Sequence, residues 1–152
     1  MILVVQRVKS ASVNVGGECV GSCGKGLMML IGVADGDGRY EAELLAKKVL
    51  GLRIFTDEND KMNLSLRDVE GEALVVSNFT LLANYRKGNR PDYMGAAKPD
   101  VARELYEYFA ELISKELSHV GMGAFGEHME IDMRADGPVT IVMDSAVLSQ
   151  KK

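Results

Sequence analysis

Over its first third the chain places Val, Ile and Leu in short runs broken by glycines. Residues 2–8, 11–15, 18–20 and 27–33 each read as a strand, and the Gly16-Gly17 pair reads as a hairpin turn. The period then changes. Ala42, Leu45, Ala46 and Val49 recur at i, i+3, i+4 and i+7, which predicts an amphipathic helix over residues 39–50 with Asp37 as its cap and Gly51 as its stop. Ile54-Phe55 leads into a polar turn at 56–61, and residues 73–82 form the most apolar strand candidate of the second half. Residues 83–98 make a loop of a length that is uncommon in compact domains and often functional. Pro99 and Asp100 open a second helix, whose buried stripe is expected at Val101, Leu105, Tyr108 or Phe109, and Leu112. Residues 129–144 alternate as strand-like segments on either side of Gly137-Pro138, and the chain beyond Ser145 reads as polar and loose. The expected division is one domain over residues 1–145 and a polar tail over 146–152.

Composition narrows the classes. With 152 residues, 47% hydrophobic and 26% charged, the chain has the profile of one globular domain with room for a core. The apolar run at 27–34 falls far short of the roughly 18 to 20 residues that span a bilayer, and Gln6 and Arg7 interrupt the N-terminal apolar stretch before it could serve as a signal peptide. A cytoplasmic location without a membrane partner is expected. The formal net charge of -4 means that a nucleic acid would have to be held by a local basic patch, and no DNA partner is expected. Cys19 and Cys23 stand four apart with no second pair, which fits idle thiols better than zinc or a disulfide framework.

Several motifs fail on context. Residues 121–126 match the glycine spacing of a dinucleotide fingerprint but follow a helix and lead into a strand, the reverse of what that site requires. Residues 21–26 lack the spacing and terminal hydroxyl of a phosphate loop and read as a hairpin turn. Residues 56–61 lack the central Gly and closing Glu of a calcium loop. His119 and His128 have no carboxylate or Cys at ligand spacing, so no metal is expected. A serine esterase pairing Ser77 with one of these histidines stays open, although the nucleophile elbow is missing.

Two stretches remain. Ser77-Asn78-Phe79-Thr80-Leu81 embeds small polar groups in an apolar segment, where they need partners. Asp136-Gly137-Pro138-Val139-Thr140 puts a proline between strand-like segments, where it costs a ladder hydrogen bond. Because X-Pro bonds are cis in only about 5–6% of folded cases, Gly137-Pro138 on its own reads as a trans turn. Arg86, Lys87 and Arg90, with Tyr85 and Tyr93 beside them, would suit a nucleic-acid end by charge and stacking, although such a loop is more often a solvated surface.

Taken together, these two stretches resemble the D-aminoacyl-tRNA deacylases of the bacterial and eukaryotic type. The resemblance extends through Gln6-Arg7-Val8, Ala11-Ser12-Val13, Arg53-Ile54-Phe55, Lys61-Met62-Asn63-Leu64, Leu74-Val75-Val76, Arg90-Pro91 and Gly126. It implies hydrolysis of the ester of a D-amino acid, or of glycine mischarged on tRNA for alanine, with no cofactor. It also implies a homodimer in which a cis Gly137-Pro138 inserts its carbonyls into the partner's pocket and rejects L side chains, with Arg7 as buttress. Ser77 and Asn78 would floor the pocket, and N–H groups at Phe79 and Thr80 would face the scissile carbonyl. Arg86, Lys87 and Arg90 are the candidate tRNA contacts. A tRNA acceptor-end binding module with weakened or lost catalysis is the alternative. Position 78 departs from the family's Gln, and Ala135 from its usual Asn. The expected fold is α/β: one domain of mixed, largely antiparallel sheets covered by two main helices, in a three-layer α/β/β arrangement.

Overall fold

In a computed structural model describing residues 1–149, the chain opens with β1 (Ile2–Val15), one strand of 14 residues where the pattern suggested two. The alternation breaks because the strand is bulged. Its pairing with the last strand shifts register between Gln6 and Val8 and again between Val8 and Ser10. An extra residue reverses which face the following side chains meet. Leu3 and Val5 accordingly join one apolar cluster, while Val8, Ala11 and Val13 join another. β2 (Glu18–Cys23) returns along the C-terminal half of β1, and β3 (Gly26–Gly32) along its N-terminal half.

The first helix, α1 (Arg39–Leu50), buries Ala42, Leu45, Ala46 and Val49 as the period requires, and Gly51 caps its C-terminus. Its N-cap is Gly38 rather than Asp37. The Gly38 N–H donates to Glu41 Oε2 at 2.8 Å, while Asp37 Oδ2 accepts from the Ala34 N–H at 2.6 Å and pairs with the Met1 ammonium at 2.7 Å. β4 (Phe55–Thr56) and β5 (Met62–Leu64) form a small separate sheet. In the turn between them Asp57 accepts from the Asn59 and Lys61 N–H groups, and the Lys61 bond leads in holding its carboxyl below the usual range.

β6 (Glu72–Ser77) runs parallel to β3, and α2 (Pro99–Ser114) crosses over to β7 (Val120–Met122), which is parallel to β6. β8 (Glu130–Asp144) then pairs with β1 along almost its whole length. The order is β2-β1-β3-β6-β7, with β8 also on β1, so the sheet is mixed and largely antiparallel. α1 and α2 cover one face through Leu45, Tyr106, Phe109 and Ile113, packed over Met29, Ile31 and Val75. On α2 the buried stripe is Ala102, Leu105, Tyr106, Phe109, Ala110 and Ile113, and Val101 is exposed. The other face curls around Val13, Met28, Leu74 and Val76 and brings β2 against β7, a nearly closed barrel and the second β layer.

That closure is backbone against backbone. A Cβ on Gly21 would lie 2.1 Å from the Met122 carbonyl oxygen, and one on Gly121 would lie 2.3 Å from that of Ser22. Only glycine leaves the strands this close.

The chain beyond Ser145 is more ordered than its polarity suggests. α3 (Ser145–Ser149) sets Leu148 against the main core, and Ser145 is buried with its Oγ accepting from the Met1 ammonium at 2.9 Å. Residues 150–152 of the expected tail lie outside the described residues. Cys23 is a buried free thiol raised to about 11, chiefly by burial and then by the charge of Glu72, and Cys19 is exposed. No described helix is long and apolar enough to cross a membrane.

Replacing Gly121 with Ala is expected to cost about 1–3 kcal/mol, because β2 or β7 must move. Gly51→Ala, where a Cβ would meet nothing closer than 3.7 Å, should stay within about 0.5 kcal/mol of the parent. Urea unfolding of the two variants checks the contrast, and equal midpoints would refute it.

Candidate active site

β6 ends at Ser77, so the expected strand over 73–82 stops short and the chain turns. The Asn78 N–H donates to the Ile31 carbonyl at 2.8 Å, a last bond to β3, and residues Phe79–Leu82 wind into a 3-10 turn. The turn lies on Gly32, where a Cβ would come within 2.6 Å of Leu82 and 2.9 Å of Leu81. Asn78 caps it: Oδ1 accepts from the Thr80 N–H at 3.2 Å and from the Thr80 hydroxyl. Asn78 and Thr80, two of the small polar groups that stood out in an apolar segment, thus satisfy one another at a strand end.

This turn opens on a cleft of about 1050 Å³. Ser77, Asn78, Phe79 and Thr80 form one wall, Tyr93 to Pro99 a second and Phe125 to Met129 a third, apart from Gly95. Tyr93 meets Phe79 edge to face, with ring centroids 5.0 Å apart and planes at 76°. Around the turn, the Thr80 amide is already engaged by Asn78 and the Leu81 amide by the Asn78 carbonyl at 3.4 Å, whereas the Phe79 amide has no acceptor among the described residues. A free N–H at the head of a turn is a fixed donor for an oxygen that gains negative charge.

The second stretch lies elsewhere on the chain. Gly137-Pro138 is a cis peptide in the bulge of β8 opposite Arg7, so the trans turn suggested by the pattern alone is not what forms. Both residues are exposed, and neither they nor Arg7 line the cleft. Arg7, 12% exposed, anchors the bulge: Nε donates to the Asp136 carbonyl at 2.9 Å and Nη1 to the Ile54 carbonyl at 2.7 Å, with an Asp136 carboxylate oxygen 3.5 Å from Nε. Thr140 Oγ1 donates to Gln6 Oε1 at 2.8 Å on the same rung. Ala135 stands opposite Val8, and the brace of the loop comes from Arg7 through main-chain oxygen.

Ser77 and His128 line the same cleft, but no hydrogen bond joins them. His119 is 2.7 Å from the Ser22 carbonyl oxygen at the barrel seam. Arg86, Lys87 and Arg90 are exposed on the loop closed by the Asn84 and Asp92 bridge, outside the lining, although Tyr93 and Met94 from the same loop are part of it. Sequence reasoning did not place Met94, Lys98 or Phe125 at the site, and it considered His128 only as one of two partners for Ser77. Each is brought there by a loop whose path no periodicity encodes, and Met94, 87% exposed, was the kind of signal only coordinates give. Among the described residues no group of three or more His, Cys, Asp or Glu gathers to hold a metal ion.

The sequence model of the D-Tyr-tRNA(Tyr) deacylase family matches residues 4–144. The chain is 52% identical over 146 residues to a D-aminoacyl-tRNA deacylase of Natranaerobius thermophilus, covering 95% of this chain and 97% of the relative. It is 49% identical to one from Thermosipho melanesiensis, with the same shares covered. Among solved structures it is similar to a c-Myc DNA unwinding element binding protein, with TM-score 0.89, 39% identity, and 95% and 98% of the two chains covered. It also shares the fold of a probable eukaryotic D-amino acid tRNA deacylase, with TM-score 0.79 and 19% identity over 93% and 97% of the chains.

Asn78→Ala removes the acceptor of the Thr80 N–H and is expected to weaken the turn by about 0.5–2 kcal/mol. Hydrogen exchange read at single amides should show Thr80 exchanging several-fold faster with the barrel amides unchanged. An unaltered Thr80 rate would mean that Asn78 does not hold it.

Proposed function

The chain belongs to the D-Tyr-tRNA(Tyr) deacylase family, and from that premise we propose that it hydrolyses the ester of D-aminoacyl-tRNA, releasing the free D-amino acid and tRNA. It is a hydrolase of carboxylic ester bonds. One observation carries the assignment of the site: the 3-10 turn at 79–82 opens on a large cleft with an amide, that of Phe79, held free at its head. The acceptor end enters the cleft with the scissile carbonyl oxygen toward the Phe79 N–H. Water adds to the carbonyl carbon, the oxygen becomes an oxyanion, and the bond to the ribose oxygen breaks as that oxygen takes a proton. One such donor is commonly worth about 10² to 10³ in rate. The ester of a 2′,3′-diol is already activated, so positioning and charge stabilisation suffice, with the substrate's own 2′-hydroxyl assisting. Thr80 acts in positioning: its hydroxyl donates to Asn78, and among the described residues no base is hydrogen-bonded to it to make it a nucleophile. Ser77 and Asn78 floor the pocket.

Selection against L-aminoacyl groups falls to Gly137 and Pro138, supplied to the cleft by a second copy of the chain in a homodimer. Support comes from their position: they are exposed, apart from the cleft of their own chain, and anchored from behind by Arg7. A wall of backbone is hard to displace, so an L side chain would be turned away by steric cost, while glycine, with no side chain, would pass it. Glycyl-tRNA mischarged on tRNA for alanine is therefore a further substrate of this reading. Arg86, Lys87 and Arg90 meet the phosphates beyond the cleft, beside Tyr85, which is 78% exposed.

A second reading has an observation of its own. With Asn78 where the resemblance leads to the expectation of Gln, Oδ1 folds back onto the Thr80 N–H and withdraws that donor. A chain so changed would bind the acceptor end without turnover.

Purified protein should cleave D-tyrosyl-tRNA and leave the L form intact. Binding without cleavage would move the assignment to the second reading, and equal cleavage of both forms would remove the stereochemical one. Arg7→Met is expected to reduce the D over L preference by at least about tenfold, since it releases one main-chain carbonyl at each of two loops at roughly 1–2 kcal/mol apiece. An unchanged ratio in a folded variant would exclude Arg7 from selection.

Neutralising Arg86, Lys87 and Arg90 together should weaken tRNA binding and lower the slope of log K against log salt by roughly 2, at about 0.7 for each single-strand phosphate left without its cation. A constant slope would send the tRNA to another face.

A further inference from the structure

Two of the cleft walls hang from neighbouring strands. Val75 on β6 precedes Ser77 by two residues, and Gly123, just past β7, precedes Phe125 by two. The Gly123 N–H donates to the Val75 carbonyl at 2.9 Å, so the two walls diverge from this one rung. Tyr106 reaches it from α2. Its hydroxyl donates to the Val75 carbonyl at 2.9 Å and lies 3.4 Å from the Gly123 carbonyl oxygen.

The same side chain touches the wall itself. The Tyr106 ring lies 6.1 Å from the Phe125 ring, tilted by 37°, and the Arg103 guanidinium, one turn earlier on α2, sits 5.5 Å from the Phe125 centroid. Met129 packs directly on the fork, since a Cβ on Gly123 would come 2.8 Å from its Sδ. The rung thus joins β6, the segment leading to Phe125 and α2 through three hydrogen bonds.

A phenol in this position is not needed for packing. Tyr106 is 2% exposed among apolar neighbours, where a phenylalanine would fill the same space without removing a hydroxyl from water. Burial, first among the causes, raises the phenol to about 12, so it remains a neutral donor throughout the working range.

We infer that Tyr106 is a positioning residue for the deacylation: its hydroxyl, shared between the Val75 and Gly123 carbonyls, fixes the separation between the wall bearing Phe79 and Thr80 and the wall bearing Phe125 to Met129. The inference rests on the reading of this cleft as the deacylation site. Tyr106 touches neither the substrate nor the reacting atoms. It acts through the placement of the Phe79 amide relative to whatever the opposite wall holds, and misplacement by about 1 Å can cost up to about 10²-fold in rate.

The test is Tyr106→Phe, which keeps the ring and removes the hydroxyl, assayed on D-tyrosyl-tRNA well below its melting temperature and normalised to the folded fraction by circular dichroism. The expected result is a fall in kcat of about tenfold or more with KM within about threefold of the parent. A purely structural role would lower the melting temperature and leave kcat per folded molecule unchanged, and that outcome overturns the inference. Phe125→Leu gives a second arm, keeping the hydroxyl while trimming the ring it braces. The two substitutions should be non-additive, the double variant losing little more than the worse single one, and independent losses that multiply would also overturn it. If the parent itself leaves D-tyrosyl-tRNA intact, the functional reading fails first and this inference with it. A parent that turns over beside a Tyr106→Phe variant of equal kcat sinks the inference alone.

Discussion

Both edges of β1 are filled, and much of the molecule follows from that constraint. One edge takes β3 along its first half and β2 along its second, while the other takes β8 from end to end. A strand pinned on both sides cannot slide, so its irregularities are fixed in place. The bulges around Val8 send its apolar side chains first under the helices and then into the barrel interior, which is how one strand serves two clusters. They also leave room opposite Arg7 for residues 136–139 of β8 to leave the ladder. The core, the closure of the barrel and the projecting Gly137-Pro138 loop thus share one origin in a doubled set of main-chain hydrogen bonds.

The candidate chemistry is likewise written mostly in backbone. Arg7 grips two carbonyls, Tyr106 lies against two more, and the donor left free at the head of the turn is the Phe79 amide. Main-chain groups are placed by the fold and lose no rotamer entropy when they bind. They are a suitable material for a reaction that needs fixed dipoles more than a reactive side chain. Asn78 is the exception that matters: its side chain accepts both the amide and the hydroxyl of Thr80, one methylene shorter than the Gln expected from the resemblance.

Much of this was legible in the sequence where local rules dominate. The 3.6 period of α1 and its Gly51 stop came through directly, as did the hairpin at Gly16-Gly17 and the solvated turn at 56–61. The pattern split β1 in two because a bulge and a turn disturb alternation alike, and only the pairing partner separates them. It extended β6 through Leu82 because an apolar 3-10 turn and an apolar strand end share a composition. It named Asp37 as a cap, yet that carboxylate is claimed by the Met1 ammonium, a partner 36 residues away that no local rule could foresee. At the site, Ser77 to Thr80 was found through its misplaced polarity. Phe125 and Lys98 were not, because what makes them lining residues is the path of two loops around α2. The cis state of Gly137-Pro138 ran against base frequency and came only from the resemblance.

β8 leaves one long main-chain edge without a strand beside it among the described residues, with Ile131, Met133 and Val142 partly open to solvent along it. Edges of this kind invite the addition of strand upon strand, and proteins that keep them must limit growth. Here the limit is built into the edge itself. Pro138 offers no N–H, residues 136–139 stand out of line, and Glu130, Asp132 and Arg134 place charge along the first half. A neighbouring chain can meet this edge only in pieces on either side of the projection, so contact there favours a finite, shape-matched assembly over an open-ended fibre. The loop that interrupts the ladder is thus also a stop against strand-by-strand growth along this edge.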